Sequence, residues 1–88
     1  MTARLLVIAG RVHGVGYRAW MCGQAEALGI SGWVRNRSDG AVEALVDGDP
    51  GAVQELLRAS RRGPRLAEVT QITETFADPP EGPGFRQL

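Results

Sequence analysis

Eighty-eight residues make one small domain with a modest core, which excludes a two-domain enzyme closing over a large substrate. Ten arginines, with no lysine, balance ten acids, so no general nucleic-acid surface is present and any attraction for an anion must be local. The single cysteine, Cys22, excludes an internal disulfide framework, and no apolar run is long enough for a signal peptide or a membrane span, so the expected location is cytoplasmic.

From Arg4 to Arg11 the chain carries Leu5, Leu6, Val7, Ile8 and Ala9, a continuous apolar run of strand length that predicts a central strand with both faces available for cover. Gly10-Arg11-Val12-His13-Gly14-Val15-Gly16-Tyr17-Arg18 follows, running through three glycines to an arginine at the start of a helix. That pattern suits phosphate. Glycines let loop N–H groups approach a ligand closely, the first helical turn presents unpaired donors and partial positive charge, and Arg18 adds a forked permanent cation. Tyr17, Trp20, Met21, Gln24, Ala25 and Leu28 recur at three-and-four spacing as one helical face, with Gly29 as the stop and Gly23 weakening the helix by about 1 kcal/mol.

Ile30 to Arg37 and Ala41 to Val46 flank Ser38-Asp39-Gly40, a strong hairpin signal, and Val42, Ala44 and Val46 alternate as a half-buried strand should. Asp49 is placed to cap a second helix that begins at Pro50, with Val53, Leu56 and Leu57 on its inner face. Arg58, Arg61 and Arg62 suit the negative end of its dipole, and Gly63-Pro64 stops it. Leu66 to Phe76 reads as another strand, but Ala67 and Val69 lie on one alternation phase and Ile72, Glu74 and Phe76 on the other, which predicts a bulge near Thr70. Residues 78–84 read as a surface loop and Phe85 to Leu88 as a short closing edge strand.

The order strand, helix, strand, strand, helix, strand is the split β-α-β pattern (βαββαβ), an α+β ferredoxin-like fold. It implies a four- to five-stranded, mostly antiparallel sheet with two helices on one face. The first two strands then run the same way, two strand spacings or roughly 10 Å apart, so the glycine loop and Asn36 meet at one sheet edge.

Competing readings of the loop are weaker. Gly14-Val15-Gly16-Tyr17-Arg18-Ala19 matches GxGxxA, but the chain lacks the repeated parallel units of a dinucleotide fold. A Walker loop needs a lysine. A cysteine-nucleophile phosphatase needs its thiol just before the loop, whereas Cys22 falls within the helix, where it reads as a small packing residue.

The loop from Gly10 to Arg18, with Gly32-Trp33-Val34-Arg35-Asn36-Arg37-Ser38-Asp39-Gly40-Ala41-Val42-Glu43, closely resembles the two signature segments of acylphosphatases. The resemblance covers essentially the full chain as a single domain, 1–88, including Gly48 and Gly63-Pro64. Tyr17 stands where phenylalanine is commoner, Arg65 where a second proline is frequent, and the tail is short. The family implies hydrolysis of an acyl phosphate to a carboxylate and inorganic phosphate, with no metal, no cofactor and no covalent enzyme intermediate. A lone histidine and the lack of any His/Cys cluster at metal spacing agree with that. Carried over residue by residue, Arg18 is the catalytic arginine and Asn36 orients the attacking water. Backbone N–H groups of Val12, His13, Gly14, Val15, Gly16 and Tyr17 cradle the phosphate. The expected partners are a small acyl phosphate and inorganic phosphate as product and inhibitor, with no nucleic acid or membrane, for a monomeric protein.

Taken singly, Arg18 is an ordinary surface or capping arginine and Asn36 an ordinary hairpin residue; only their combination with the loop favours catalysis. His13 is tempting as a base, but the family accepts glutamine there, which favours a loop-shaping role. Trp20, Trp33 and Phe76 read as core or hairpin packing, and Arg35 and Arg37, alternating away from Asn36, as solubilising surface. A noncatalytic module on the same fold is the alternative from another class. Against RNA stands the lack of paired exposed aromatics in a neutral chain. Recognition of a carbamoyl or acyl phosphate for a partner enzyme, as related domains do within larger maturation proteins, is the third reading.

Overall fold

The computed structural model describes residues 3–88. Its elements in chain order are β1 (Ala3–Arg11), α1 (Tyr17–Ala27), β2 (Ser31–Asn36), β3 (Val42–Asp47), α2 (Pro50–Arg62), β4 (Glu68–Ala77) and β5 (Phe85–Gln87). They build one five-stranded sheet in the order β4-β1-β3-β2-β5. All neighbours are antiparallel except β2 and β5, which pair in parallel with Gly32 opposite Phe85 and Val34 opposite Gln87. The short terminal segment is therefore a true edge strand, extended by a bond from the Leu88 N–H to the Val34 carbonyl (2.9 Å).

One core lies between the sheet and the two helices. Leu6 and Ile8 of β1, Val34 of β2, and Val42, Ala44 and Val46 of β3 meet Tyr17, Met21 and Ala25 of α1 and Val53, Leu56 and Leu57 of α2. Each large aliphatic side chain so buried contributes about 1.5–3 kcal/mol. The other sheet face carries no helix. Leu5 and Val7 are only half-buried, so the apolar run of β1 is covered fully on one face and not on both. The run is unbroken because β1 sits between β3 and β4, deep in the sheet, where even the open face is shaded by its neighbours.

The helix boundaries follow local chemistry. Asp49 caps α2 by accepting the Gly51 N–H at 3.0 Å, Pro50 occupies the first turn, and Arg61 and Arg62 close the last turn. In β4 the pairing runs Ala9 with Gln71 and then Gly10 with Val69, which leaves Thr70 as the extra residue of a bulge. That bulge puts Val69 and Ile72 on the same side, both packed against the core. Gly10 makes it possible: at φ 125° a side chain is strained, and a Cβ would lie 2.1 Å from the Glu68 carbonyl oxygen.

Two expectations need correction. Phe76 is not core packing; it is 73 % exposed, because β4 is an edge strand that outruns the helices, and its ring lies under the Arg4 guanidinium at 4.9 Å. Arg35 and Arg37 are not merely solubilising, since both are committed to acidic partners described below. Trp20 does pack on the core, 5.4 Å from Tyr17, and Trp33 lies half-buried on the open face beneath Arg35.

Candidate active site

The end of β1, the loop 12–16 and the start of α1 form one side of the site. Val12 and Tyr17 are anchored in the core and Val15 packs against it, which leaves His13, Gly14 and Gly16 at the surface. Gly16 is the N-cap of α1 at φ 78°, after Gly14 at φ 72°, a left-handed geometry that costs glycine little and exposes the main chain. Unlike Asp49 on α2, it supplies no side-chain cap, and no acid lies in the first turn of α1. Trp20 is the first residue whose N–H closes a helical turn, onto the Gly16 carbonyl at 3.0 Å. Among the described residues, the N–H groups from residue 13 to residue 19 donate to no main-chain oxygen. A run of unpartnered donors at a helix N-terminus is an anion site in waiting.

The other side comes from β2. Its residues 32, 34 and 36 point toward the helices, so alternation that buries Val34 sends Asn36, the last residue of the strand, to the same face as the loop. Because β3 lies between β1 and β2, the loop and Asn36 face each other across one intervening strand. A cleft of about 130 Å³ results, lined by Val12, Gly14, Gly16, Tyr17, Arg18, Ala19, Asn36 and Gln87. Of the anticipated residues, His13 and Val15 stay outside its walls. A larger cleft of about 510 Å³ lies between Trp33, Leu45, Arg86 and the loop of residues 79–84, but it lacks such convergent donors.

Arg18 is oriented from behind, its Nη1 donating to the main-chain oxygen of Leu88 at 2.8 Å. Gln87 and Leu88 were not anticipated at the site; the signal was present in the Phe85–Gln87 alternation, where burial of Phe85 turns Gln87 to the same face. His13 has no acid–base partner and instead donates through Nε2 to the Ala41 carbonyl (2.9 Å), tying the loop to the turn that follows Asn36. That carbonyl also accepts the Arg37 N–H at 2.8 Å. Tyr17 is buried, its hydroxyl donates to the Ser60 carbonyl at 2.7 Å, and desolvation pushes its pKa up to about 12. Burial, then the Glu26 charge, raises the Cys22 thiol. It lies in α1, away from the cleft.

Behind Asn36, on the open face, lies a carboxylate that sequence reasoning passed over. Glu43 of β3 is 8 % exposed, its Oε1 accepting from Arg35 Nε at 2.7 Å and Nη2 at 2.6 Å. Arg37 reaches its Oε2 at 3.7 Å and pairs with Asp39 at 3.0 Å. The Asp39 carboxyl is held below the usual range first by the Ala41 N–H it accepts and then by Arg37. Nothing in the apolar spacing of β3 marks Glu43 as buried, because its cover comes from a neighbouring strand. Among the described residues, no group of three His, Cys, Asp or Glu side chains is placed to hold a metal, and no helix is long and apolar enough to cross a membrane.

The acylphosphatase family model matches residues 4–87. The acylphosphatase of Acidiphilium cryptum is 62 % identical over 85 residues, 97 % of this chain and 93 % of that protein. That of Azorhizobium caulinodans is 54 % identical, over 92 % of this chain and 88 % of its own length. Among solved structures, the acylphosphatase from Bacillus subtilis superposes with a TM-score of 0.93 at 35 % identity, covering 100 % of this chain and 99 % of that one. Full-length HypF, in a phosphate- and nucleotide-bound form, contains a matching region with a TM-score of 0.90 at 26 % identity, covering 99 % of this chain and 12 % of HypF.

Proposed function

The chain belongs to the acylphosphatase family, and from that membership we infer that the cleft between the glycine loop and Asn36 hydrolyses acyl phosphates. The protein is an acid-anhydride hydrolase, and its substrate is a carboxylic–phosphoric mixed anhydride. In the proposed mechanism the phosphoryl oxygens sit on the N–H groups of residues 12–17, at the positive end of α1. Arg18 adds two-pronged, charge-assisted hydrogen bonds to those oxygens. Both sets of donors strengthen as the bridging P–O bond loosens and its electron pair passes to the departing carboxylate.

Asn36 holds a water opposite the leaving carboxylate. Its oxygen forms the new bond to phosphorus, and its proton passes to a phosphoryl oxygen of the substrate, because a carboxamide is no base near neutral pH. The products are the free carboxylate and inorganic phosphate. An acyl phosphate carries a good leaving group, so positioning and charge neutralisation suffice and neither an acid nor a metal is needed. Inorganic phosphate, which the same donors fit, inhibits competitively. Monomeric action in the cytoplasm belongs to the same reading, the free Cys22 thiol suiting a reducing compartment.

The observation that carries the proposal is the convergence of Arg18, Asn36 and the uncapped start of α1 on one cleft. Benzoyl phosphate tests it. Purified protein should accelerate its hydrolysis, with Arg18→Ala and Asn36→Ala both strongly impaired; parental rates in both variants overturn the assignment.

A further inference from the structure

Asn36 is the last paired residue of β2, where a strand ordinarily frays into its turn, so a side chain that must hold a water in place needs its backbone pinned. The pin is visible on the opposite face. Arg35 and Arg37 flank Asn36 and alternate to the open side of the sheet, and both reach the same carboxylate, Glu43. Glu43 sits in the central strand β3, its Cα opposite Arg35 on one side and Val7 on the other. A carboxylate at that depth is costly unless it is paired. Two bonds from Arg35 to Oε1 and the Arg37 guanidinium beside Oε2 supply the pairing. Arg37 also grips Asp39 in the turn, and Asp39 accepts the Ala41 N–H. Both residues next to Asn36 are thus fastened to one point behind it.

We propose that Glu43 is a positioning residue for the hydrolytic step, acting through Arg35 and Arg37 to fix the Asn36 carboxamide over the phosphate loop. This rests on the reading of Asn36 as the group that orients water. The Glu43 carboxylate and the two guanidinium groups touch neither the loop nor Arg18, and the main-chain bonds that join His13 and Arg37 to Ala41 do not involve them, so loss of the carboxylate separates turnover from phosphate recognition. Misplacement of a reacting group by a fraction of an ångström to 1 Å costs on the order of tenfold to a hundredfold in rate. Glu43→Gln keeps the shape, and Arg35 is 53 % exposed, so removing the charge strands no buried cation.

The test is a double-mutant cycle in benzoyl phosphate hydrolysis, joined to competition by inorganic phosphate. Glu43→Gln should lower kcat by roughly tenfold to a hundredfold while KM and the phosphate inhibition constant stay near parental values. In an Asn36→Ala background the same change should have no further effect. A parental kcat for Glu43→Gln beside an impaired Asn36→Ala overturns the clamp while sparing the role of Asn36. An equal loss from Glu43→Gln in both backgrounds also overturns it, since Glu43 would then act elsewhere. Parental activity in Asn36→Ala removes the premise itself. Should Glu43→Gln fail to fold, Arg37→Gln loosens the clamp from the surface while Arg35 still pairs the Glu43 carboxylate; it must lower kcat at a parental KM, and a parental kcat overturns the proposal.

Discussion

The phenol of Tyr17 donates to the main-chain carbonyl of Ser60 at 2.7 Å, completing a helix that its own sequence cannot complete. Inside α2 that carbonyl would receive the N–H of the residue four positions on, which is Pro64 and has none. The bond ties the last turn of α2 to the first turn of α1, one residue before Arg18.

Tyr17→Phe keeps the buried ring and leaves the Ser60 carbonyl without a donor. Such an unsatisfied buried acceptor costs about 1–3 kcal/mol. Urea unfolding should show that loss, with turnover per folded molecule close to the parent's because the hydroxyl removed is bonded to Ser60 of α2 while the loop N–H groups, Arg18 and Asn36 are unchanged.

Alkaline stability reads the burial of the same phenol. Burial raises the Tyr17 pKa from 10.0 to about 12, with the Ser60 side chain working the other way. Below pH 10 the phenol is neutral in both states and its contribution is complete; between pH 10 and about 12 the unfolded chain ionises first, so stability falls as pH rises. The loss is roughly 2–3 kcal/mol at about 1.4 kcal/mol per pH unit. With a single tyrosine and no lysine in the chain, tyrosinate absorbance and unfolding measured together should isolate it. Tyr17→Phe should flatten this limb.

Arg18→Ala should lower turnover on the order of a thousandfold or more, as for other arginines that stabilise phosphoryl transfer. Arg18→Lys should restore little, because one ammonium cannot reproduce a forked pair of donors. Steady-state kinetics decide, and a lysine variant near the parent would reduce Arg18 to a simple positive charge.

Asn36→Asp and Asn36→Ala should each lose about a hundred- to a thousandfold in turnover, the usual cost of one preorganised donor. The alanine variant should still bind inorganic phosphate through the loop and Arg18. Calorimetric phosphate titration alongside benzoyl phosphate kinetics separates the two effects.

Excess chelator should leave turnover unchanged, since the loop N–H groups and Arg18 provide the neutralisation. Inorganic phosphate should shift the amide signals of residues 12–18 in an NMR titration while competing with substrate. Abolition by chelator with rescue by a divalent ion would refute the mechanism.

Local chemistry in the sequence determined the elements and much of the site. Apolar periodicity marks both helices, Asp49 and Pro50 mark the start of α2, and the phase change between Val69 and Ile72 locates the Thr70 bulge. The glycine loop before Arg18 and the parity of Asn36 with buried Val34 point the site residues to one face. Each of these is a property of residues a few positions apart, which backbone geometry alone converts into direction. Only the tertiary structure decided what covers what. Periodicity shows which face of β1 or β4 is apolar, but the shade over Leu5 and the exposure of Phe76 depend on where the sheet ends and where the helices stop. The Arg35 partner of Glu43, the acceptor that steadies Arg18 and the donor that reaches Ser60 lie 8, 70 and 43 residues away along the chain. The first is fixed by hairpin register, and the other two by strand order and helix packing, which no local pattern encodes.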